Sequence, residues 1–262
     1  MSNPFFHFLD THRNPSERTL FNAAIGTPKV YQAAPAVALP EPALVPESIT
    51  TLLRARKSCR DYQGTSVSLA DLSTILYWSM SELLFDKEAA DAPDNFKRRP
   101  HPSGGAKYPL EAYIVTDAHT DLGSAVHHYR PDIHQLEKVK ELTDTQVSAL
   151  KKSYYYEFVP EIPVMVIFTY IMERNVPKYG TFGTKIALIE AGHIGQNIAT
   201  IATACGVGSV MLAGGDFNSM DSLFGFAMWI MNRAEVKSTL GRQSNANFQC
   251  NKPYNWNRTQ NL

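Results

Sequence analysis

Helices alternate with strands along this chain, and the alternation predicts a protein of mixed α and β class. Two segments carry most of the evidence. The run from Pro163 to Met172 consists almost wholly of β-branched or large apolar residues, which indicates a central strand buried on both faces. The segment from Lys185 to Cys205 has apolar residues at helical spacing and predicts the longest helix. The residues expected to pack inward are Ile186, Ile189, Ile194, Ile198, Ile201 and Ala202. Gly206-Val207-Gly208 should end that helix.

Shorter patterns predict the remaining elements. Ser48 and Ser68 are typical N-caps, and Asp71 follows Ser68 at the spacing of a capping box. The predicted helices run from Ser48 to about Lys57, from Ser68 through Met80, and from Asp144 to Phe158. The predicted strands are Leu110 to Thr116, Val126 to Tyr129 and Ser209 to Leu212, with a turn at Pro131-Asp132 and a charged loop over Asp86 to Lys97.

Three regions follow from composition. Residues 1–47 form an arm that ends in a strap, because five prolines between Pro28 and Pro46 favour an extended chain. Residues 48–240 hold the predicted helices and strands and form the folded domain. Residues 241–262 are rich in Asn and Gln and poor in apolar residues, which is typical of a polar tail.

The overall composition excludes several classes of protein. The chain has 262 residues, 44% of them hydrophobic, and its 25 basic residues balance 25 acidic ones. A balanced charge does not indicate a nucleic-acid or membrane-surface partner. No apolar run approaches the ~20 residues of a membrane span, and we expect no signal peptide at the start. Three widely spaced cysteines form no disulfide framework, which fits a cytoplasmic protein.

A loop that contains Pro102-Ser103-Gly104-Gly105 and ends at Pro109 precedes the strand that starts at Leu110. Adjacent glycines let a backbone approach a flat or charged ligand and point its amides at it. This loop is therefore a candidate cofactor site. An ordinary tight turn is the alternative explanation.

A second candidate site is the group Arg56, Lys57, Ser58 and Arg60 near a predicted helix end. Two guanidiniums and a hydroxyl at alternating positions of an extended chain share one face and suit a phosphate and a polyol. The same cations could instead simply complement the helix dipole. Gly214-Gly215, after a predicted strand, could bring backbone amides to a ring edge.

Lys178 and Tyr179 lie on a predicted glycine-bearing loop between the strongest strand and the longest helix. Both groups have ordinary pKa values of ~10, so one pKa must fall by ~2–3 units for a base to act near neutrality. A neighbouring cation would lower the pKa of the tyrosine. A solvated lysine beside a packed tyrosine is the alternative.

The long helix and one strand carry further polar residues. Glu190 and His193 are spaced as a pair on one helix face, and either Gln196 or Asn197 could reach a cofactor. His127-His128 has no carboxylate or cysteine at ligand spacing, so we expect no metal site. The chain contains no Rossmann, P-loop or nucleophile-elbow motif.

Taken together, these motifs resemble the SagB-type dehydrogenases, the azoline-oxidising branch of the FMN-dependent nitroreductase superfamily. The resemblance rests on these stretches: Arg56-Lys57-Ser58-x-Arg60, Arg99-Pro100-x-Pro102-Ser103-Gly104-Gly105-Ala106-x-Tyr108-Pro109-Leu110-Glu111, His128-Tyr129, Ala187-Leu188-x-Glu190-Ala191-Gly192-His193-x-x-Gln196-Asn197, Gly206-x-Gly208-Ser209 and Gly214-Gly215. Lys107 departs from the family pattern, because that position is usually apolar.

The resemblance implies an α+β nitroreductase-like fold, with a mostly antiparallel central sheet flanked by helices, in an intertwined homodimer. It implies that FMN is held by residues of the motifs quoted above, with Lys178 and Tyr179 as the catalytic pair. The implied FMN-binding residues are Arg56, Lys57, Ser58, Arg60, Pro102, Ser103, Gly104, Gly105, Gln196, Gly214 and Gly215.

The resemblance also implies an activity, the oxidation of thiazoline or oxazoline rings in a ribosomal peptide to azoles. The implied partners are the azoline-containing precursor peptide and a cyclodehydratase complex. Two alternatives remain open. One is an NAD(P)H-dependent nitro- or quinone reductase on the same fold, and the other is a flavin-less scaffold subunit of a synthetase complex.

Overall fold

The computed structural model describes residues 28–62, 67–83 and 98–212, together with the backbone of one strand at 229–235. The expected loop at 86–97, Gly214-Gly215 and the polar tail lie outside the described residues. The strands are β1 (Ala36–Ala38), β2 (Leu110–Thr116), β3 (Ala125–Arg130), β4 (Gln135–Glu141), β5 (Val164–Tyr170), β6 (Val207–Leu212) and β7 (Trp229–Glu235). The helices are α1 (Ile49–Ala55), α2 (Leu69–Met80), α3 (Asp144–Lys152), α4 (Val176–Tyr179) and α5 (Phe182–Ala204).

The seven strands form one sheet in the order β1-β4-β3-β2-β5-β7-β6, and each neighbouring pair is antiparallel. Helices α2 and α5 pack on one face against a core that includes Ile114 and Ile194. Helix α3 packs on the other face, in a second core with Val115 and Leu150. The predicted α+β class with an antiparallel sheet flanked by helices is confirmed.

The proline-rich strap is extended, as predicted, but three of its residues pair with β4 as β1. Its two ends are fixed to different parts of the molecule. The backbone N–H of Tyr31 donates to Glu137 (3.2 Å), and Trp78 of α2 donates to the carbonyl of Ala43 (2.7 Å). The strap therefore runs along the β4 edge and leads into α1, whose N-cap is Ser48, as predicted.

Strand β4 and helix α3 differ from the sequence prediction. Strand β4 is not apparent in the sequence because its residues are mostly polar, and within the strand only Leu136 and Glu137 are buried. The helix expected to run to Phe158 ends at Lys152, where the side chain of Ser153 donates back to the carbonyl of Leu150 (2.6 Å). Tyr154 then turns inward and is 6% exposed.

Helix α5 begins three residues earlier than the predicted Lys185 and ends at Ala204, and Gly206 follows in a left-handed conformation (φ 68°). Of its predicted inward residues, Ile194 and Ile198 are buried, but Ile189 is 58% exposed, so that assignment is wrong. A Cβ at Gly195 would lie 2.4 Å from Met211 Sδ, so this glycine permits the close approach of β6. None of the described helices has the length and apolarity required to cross a lipid bilayer.

Candidate functional site

The loop at residues 102–109, which we call the glycine loop, has an unusual backbone. Gly104–Ala106 forms a single 3-10 turn, in which Gly105 has φ 63° and Ala106 has φ 53°. Tyr108 follows with φ 44°. Residues with a Cβ rarely adopt left-handed φ values, and such strain is found mainly at functional sites. An ordinary tight turn does not account for two such residues within one short loop.

Ser103 anchors this loop to the long helix. Its hydroxyl accepts a hydrogen bond from the backbone N–H of Tyr108 (2.9 Å) and donates one to Glu190 of α5 (2.5 Å). Glu190 is 2% exposed, and its other oxygen lies 3.4 Å from the Nε2 of His101. The spacing of Glu190 and His193 on one helix face would allow a surface pair, but Glu190 is buried and His193 is exposed, so they do not form one.

Lys178 and Tyr179 lie on the single turn of helix α4, not on the irregular loop that the sequence predicted. Their side chains converge on the glycine loop. A Cβ placed at Gly105 would lie 2.6 Å from the Tyr179 hydroxyl and 2.8 Å from Lys178 Nζ. The structure thus brings together two motifs that are far apart in the sequence, and Gly105 is the residue that makes the contact possible.

The surroundings of the pair are positively charged. Lys107, in the glycine loop, is only 3% exposed. Its burial, and then the charge of Lys178, lower the pKa of Lys107. A positive environment favours negative charge on a nearby phenol or substrate atom. The site can therefore support proton removal or stabilise a developing anion.

Asn175 fixes the backbone that carries the pair. Its carbonyl accepts hydrogen bonds from the N–H groups of Lys178 (3.1 Å) and Tyr179 (2.9 Å). Its side chain accepts from the hydroxyl of Tyr170 (2.5 Å) and donates to the carbonyl of Gly183 (2.9 Å). This fully buried residue thus joins β5, α4 and the start of α5.

Charged residues lie behind the glycine loop. Arg174 donates to the carbonyl of Tyr108 (2.8 Å) and forms an ion pair with Glu111. Glu111 also accepts from Nε2 of His128 (2.8 Å), and the Nδ1 of His128 faces Glu137 (2.9 Å). We call Arg174, Glu111, His128 and Glu137 the buried charge chain.

The other predicted cofactor residues lie elsewhere on the chain. Arg56 and Lys57 are half-buried, while Ser58 and Arg60 are exposed. Ser58 pairs with Ser209 of β6, so this cationic segment extends the β6 edge of the sheet.

The glycine loop and β6 contact α5 at different positions along the helix axis. Gly104 contacts Ile186, whereas β6 contacts Gly195 through Met211. These positions are separated by nine residues, or about 13 Å along the helix. Pro102 and Gln196 are exposed at the surface. Gly214 and Gly215 lie outside the described residues.

The two neighbouring histidines of β3 have different environments. His128 is held between two carboxylates, whereas His127 on the opposite face makes no side-chain hydrogen bond of good geometry. Burial, and then the charge of Lys138, lower the pKa of His127 to about 4, so this ring is neutral. Within the described part of the chain, no three His, Cys, Asp or Glu side chains are grouped as a metal site would require.

Sequence reasoning missed the roles of Arg174, Asn175 and Glu137. Each is a common polar residue without a motif of its own. Arg174 and Glu137 act through partners distant in sequence, whereas Asn175 acts through residues between Tyr170 and Gly183 that no sequence pattern links to it. Glu111 was part of the motif that carried the resemblance, but no role followed from it. The only available signal was a charged residue at the second position of a strongly apolar strand.

Comparison with known proteins gives a consistent result. The nitroreductase family profile matches residues 53–233. A provisionally named nitroreductase of Methanocaldococcus jannaschii is 28% identical over 162 residues, which are 61% of this chain and 75% of that protein. The microcin B17-processing protein McbC of Escherichia coli is 24% identical over 171 residues, 64% of this chain, and the match spans only 62% of McbC.

Solved structures agree on the fold. A provisionally named nitroreductase from Ralstonia eutropha superimposes with a TM-score of 0.62 at 17% identity, over 80% of this chain and 94% of that one. The E. coli microcin synthetase McbBCD complex, solved with truncated pro-MccB17 bound, gives a TM-score of 0.54 at 23% identity, over 69% and 67% of the two chains. The profile covers well over half of the sequence, and the chain therefore belongs to the nitroreductase family.

Proposed function

We propose that this protein is a cytoplasmic, FMN-dependent dehydrogenase that oxidises azoline rings in a ribosomally made peptide to azoles. One observation carries the proposal. Lys178 and Tyr179 meet Gly105 at the strained glycine loop, so the proposed proton-transfer pair lies beside the proposed cofactor loop. The similarity to McbC, named for the processing of the peptide microcin B17, supports a peptide substrate.

The residues of this chain fit FMN by the chemistry of their donors. Arg56, Lys57, Ser58 and Arg60 offer three cations and a hydroxyl along an accessible sheet edge, which suits a phosphate and a ribityl chain. In our proposal the glycine loop, Gln196 and Gly214-Gly215 contact the ring system. When bound, FMN would supply a two-electron acceptor for the substrate hydride and be reoxidised by molecular oxygen.

In the proposed reaction, the azoline ring loses one proton and one hydride and becomes aromatic. Tyr179 takes the proton, since its hydroxyl lies at the open side of Gly105. In this role Tyr179 reacts as the phenolate, and the Lys178 ammonium, 5.2 Å from the centre of the Tyr179 ring, stabilises that negative charge until the proton neutralises it. Asn175 keeps both side chains in place through the α4 backbone.

We also propose a homodimer, as the family resemblance implies. Exposed apolar residues lie on the outer surfaces of α1 and α5, where Leu53 is 52% exposed and Ile189 is 58% exposed. Gly192 lies near Ile189, with open space where a Cβ would be. A second copy packed on these helices would remove the apolar surface from water. It could also bring its glycine loop to the cationic segment of the first copy. The McbBCD structure further supports a synthetase complex as a partner.

An NAD(P)H-dependent nitro- or quinone reductase is the second candidate. The nitroreductase of M. jannaschii favours it, because its identity to this chain is slightly higher than that of McbC. The two candidates differ in their source of electrons. An azoline dehydrogenase takes electrons from the peptide and needs no nicotinamide cofactor.

The test uses the purified protein loaded with FMN and a synthetic peptide that contains one thiazoline ring. We expect the peptide to lose two hydrogen atoms by mass spectrometry in the presence of oxygen, without NAD(P)H. Rapid NADH-driven reduction of a nitroarene or quinone, with an unchanged peptide, would instead establish the reductase. A protein that takes up no FMN would support the remaining alternative, a flavin-less scaffold subunit.

Variants test the site itself. We expect Tyr179→Phe and Lys178→Ala to retain FMN but to slow peptide oxidation by ~10²-fold, the usual contribution of acid–base help. The exposed Tyr155 and Lys152 provide matched controls, since Tyr155→Phe and Lys152→Ala remove the same groups elsewhere. Arg56→Ala and Arg60→Ala should weaken FMN binding, whereas Arg54→Ala should not. Equal effects in the site and control variants would refute these assignments.

A further inference from the structure

Arg174 connects the two segments that form the Lys178–Tyr179 site. It lies at the end of the short turn Met172–Arg174, just before the helix that carries the pair. One of its terminal nitrogens donates to the carbonyl of Tyr108 in the glycine loop, and the other pairs with Glu111 at the start of β2. This side chain therefore links the glycine loop to the segment that carries Lys178, next to the backbone hydrogen bond that Ile171 donates to the carbonyl of Pro109 (2.8 Å).

This contact is made at the most strained part of the loop. Tyr108 is held in a left-handed conformation, with its N–H bonded to Ser103 and its carbonyl bonded to Arg174. A residue with a Cβ keeps such a conformation only where the surrounding contacts enforce it. Loss of the arginine would free the carbonyl of Tyr108 and let the loop relax.

The charge of Arg174 is balanced within the protein. Burial would raise the pKa of Glu111, but the hydrogen bond of His128 and the charges of Arg174 and His128 outweigh it, and the pKa lies below its ordinary value. The ring of His128 lies between two carboxylates, with Nε2 2.8 Å from Glu111 and Nδ1 2.9 Å from Glu137. Glu137 in turn pairs with Arg130 (2.9 Å).

We infer that Arg174 is a positioning residue for Lys178 and Tyr179, and that Glu111 and His128 hold Arg174 in place. The inference rests on the proposed function for the role of the pair, but the contacts themselves do not depend on it. The buried charge chain also reaches the strap, because Tyr31 donates its N–H to Glu137. The strap and the site are thereby joined through one continuous set of polar contacts.

The chain supplies a matched control at the other end of β2. Lys151 and Asp117 form a buried ion pair (2.8 Å) on the same face of the sheet, with side chains 7% and 11% exposed. That end of the seven-residue strand is about 20 Å from Glu111. Arg174→Met and Lys151→Met therefore each break one buried ion pair, at different distances from Lys178.

The first measurement needs neither flavin nor substrate. Acetic anhydride is allowed to compete for all lysines at a series of pH values, and the rate at Lys178 is read by mass spectrometry against the exposed Lys152. We expect Arg174→Met to change the relative rate at Lys178, or its midpoint pH, by about threefold or more. Lys151→Met should leave it unchanged, and Arg174→Lys, which keeps the charge, should restore part of it.

The second measurement is oxidation of the thiazoline peptide by the FMN-loaded enzyme. Since a displacement of about 1 Å can cost 10²-fold in rate, we expect Arg174→Met to lower kcat by ~10²-fold and to leave KM within about threefold. Lys151→Met should retain the wild-type kcat. A wild-type enzyme that leaves the peptide unchanged would refute the proposed function, and the labelling would still decide the positioning role.

Two results would overturn the inference. One is a labelling profile of Lys178 in Arg174→Met identical to that of the wild type. The other is an equal change in Lys151→Met, which would show a general loss of stability. If Arg174→Met does not fold, Glu111→Gln replaces it, because this isosteric change removes only the charge that holds Arg174. A wild-type profile in Glu111→Gln would then count against the inference.

Discussion

Strand β2 has a buried ion pair near each of its ends, and the two ends differ in how the charges are connected. At the loop end, Glu111 is shared by Arg174 and His128, and the contacts continue through Glu137. At the far end, Lys151 bonds Asp117 and the carbonyl of Pro160. The loop end joins side chains of separate elements around the candidate site. At the far end, Lys151 and Asp117 line an open cleft of about 440 Å³.

The backbones of the two ends differ in the same way. The loop end holds Gly105, Ala106 and Tyr108 in left-handed conformations, although two of them carry a Cβ. The turn that follows β2 at the far end uses Gly123, which adopts φ 66° without a Cβ in the way. Both ends of β2 therefore bury an ion pair to a similar degree, but only the loop end has a strained backbone. The loop end therefore combines a strained backbone with a carboxylate shared by two basic side chains, and the far end has neither feature.

The largest expected effect is on stability at the loop end. His128→Leu would leave the buried carboxylates of Glu111 and Glu137 without the imidazole that they share, so we expect the free energy of unfolding to fall by about 3–5 kcal/mol. Lys151→Met leaves only one carboxylate, beside a cleft that water can enter, and should cost less. Urea denaturation of the two variants measures the difference. Equal losses of stability in the two variants would mean that sharing His128 between two carboxylates adds no stability beyond that of a single ion pair.

The next largest effect is a dependence of the free energy of unfolding on pH, which arises from His127. Its pKa is about 4 in the folded protein and about 6.5 when unfolded, so the unfolded state binds the additional proton between these values. Stability should therefore fall as the pH decreases from 6.5 to 4, by about 3 kcal/mol. His127→Leu should flatten this part of the stability curve, measured by urea denaturation across the range. A curve of unchanged slope would contradict the assignment.

Below this window the loop end should lose further stability. The pKa of Glu137, like that of Glu111, lies below its ordinary value: burial raises it, but hydrogen bonds from His128, Arg130 and the backbone of Tyr31 outweigh the burial. The stabilisation from a lowered carboxyl pKa is present above the unfolded value and is lost as the pH falls through the folded one. Glu137→Gln should remove part of this acid sensitivity without affecting the window of His127.

The smallest changes in stability are expected from substitution of two glycines, Gly105 and Gly123. Gly105→Ala and Gly123→Ala both force a Cβ into a left-handed backbone, at a cost of about 1–2 kcal/mol each. A Cβ at Gly123 meets nothing within 4 Å, whereas one at Gly105 collides with Lys178 and Tyr179. We therefore expect similar thermal shifts, but a changed labelling rate of Lys178 only in Gly105→Ala. A wild-type rate in that variant would mean that the pair does not depend on the glycine loop.

Local sequence patterns were sufficient for much of the fold. The N-caps Ser48 and Ser68, strand β2 with its predicted bounds, and the end of α5 before Gly206 all follow from interactions within a few residues. The sequence also identified Lys178, Tyr179 and the glycine loop as candidates, because their residue types are distinctive. These properties depend on backbone propensity and periodicity, which short segments determine by themselves.

Only the tertiary structure decided which of these segments meet. The sequence could not show that Gly105 receives both Lys178 and Tyr179, that Glu190 is buried under Ser103, or that Ile189 is exposed. Nor could it distinguish His127 from His128, since two adjacent histidines on one strand differ only in the face they present. Contacts between residues distant in sequence depend on the packing of the whole sheet, and that packing decides which side chains lose water and which share charge.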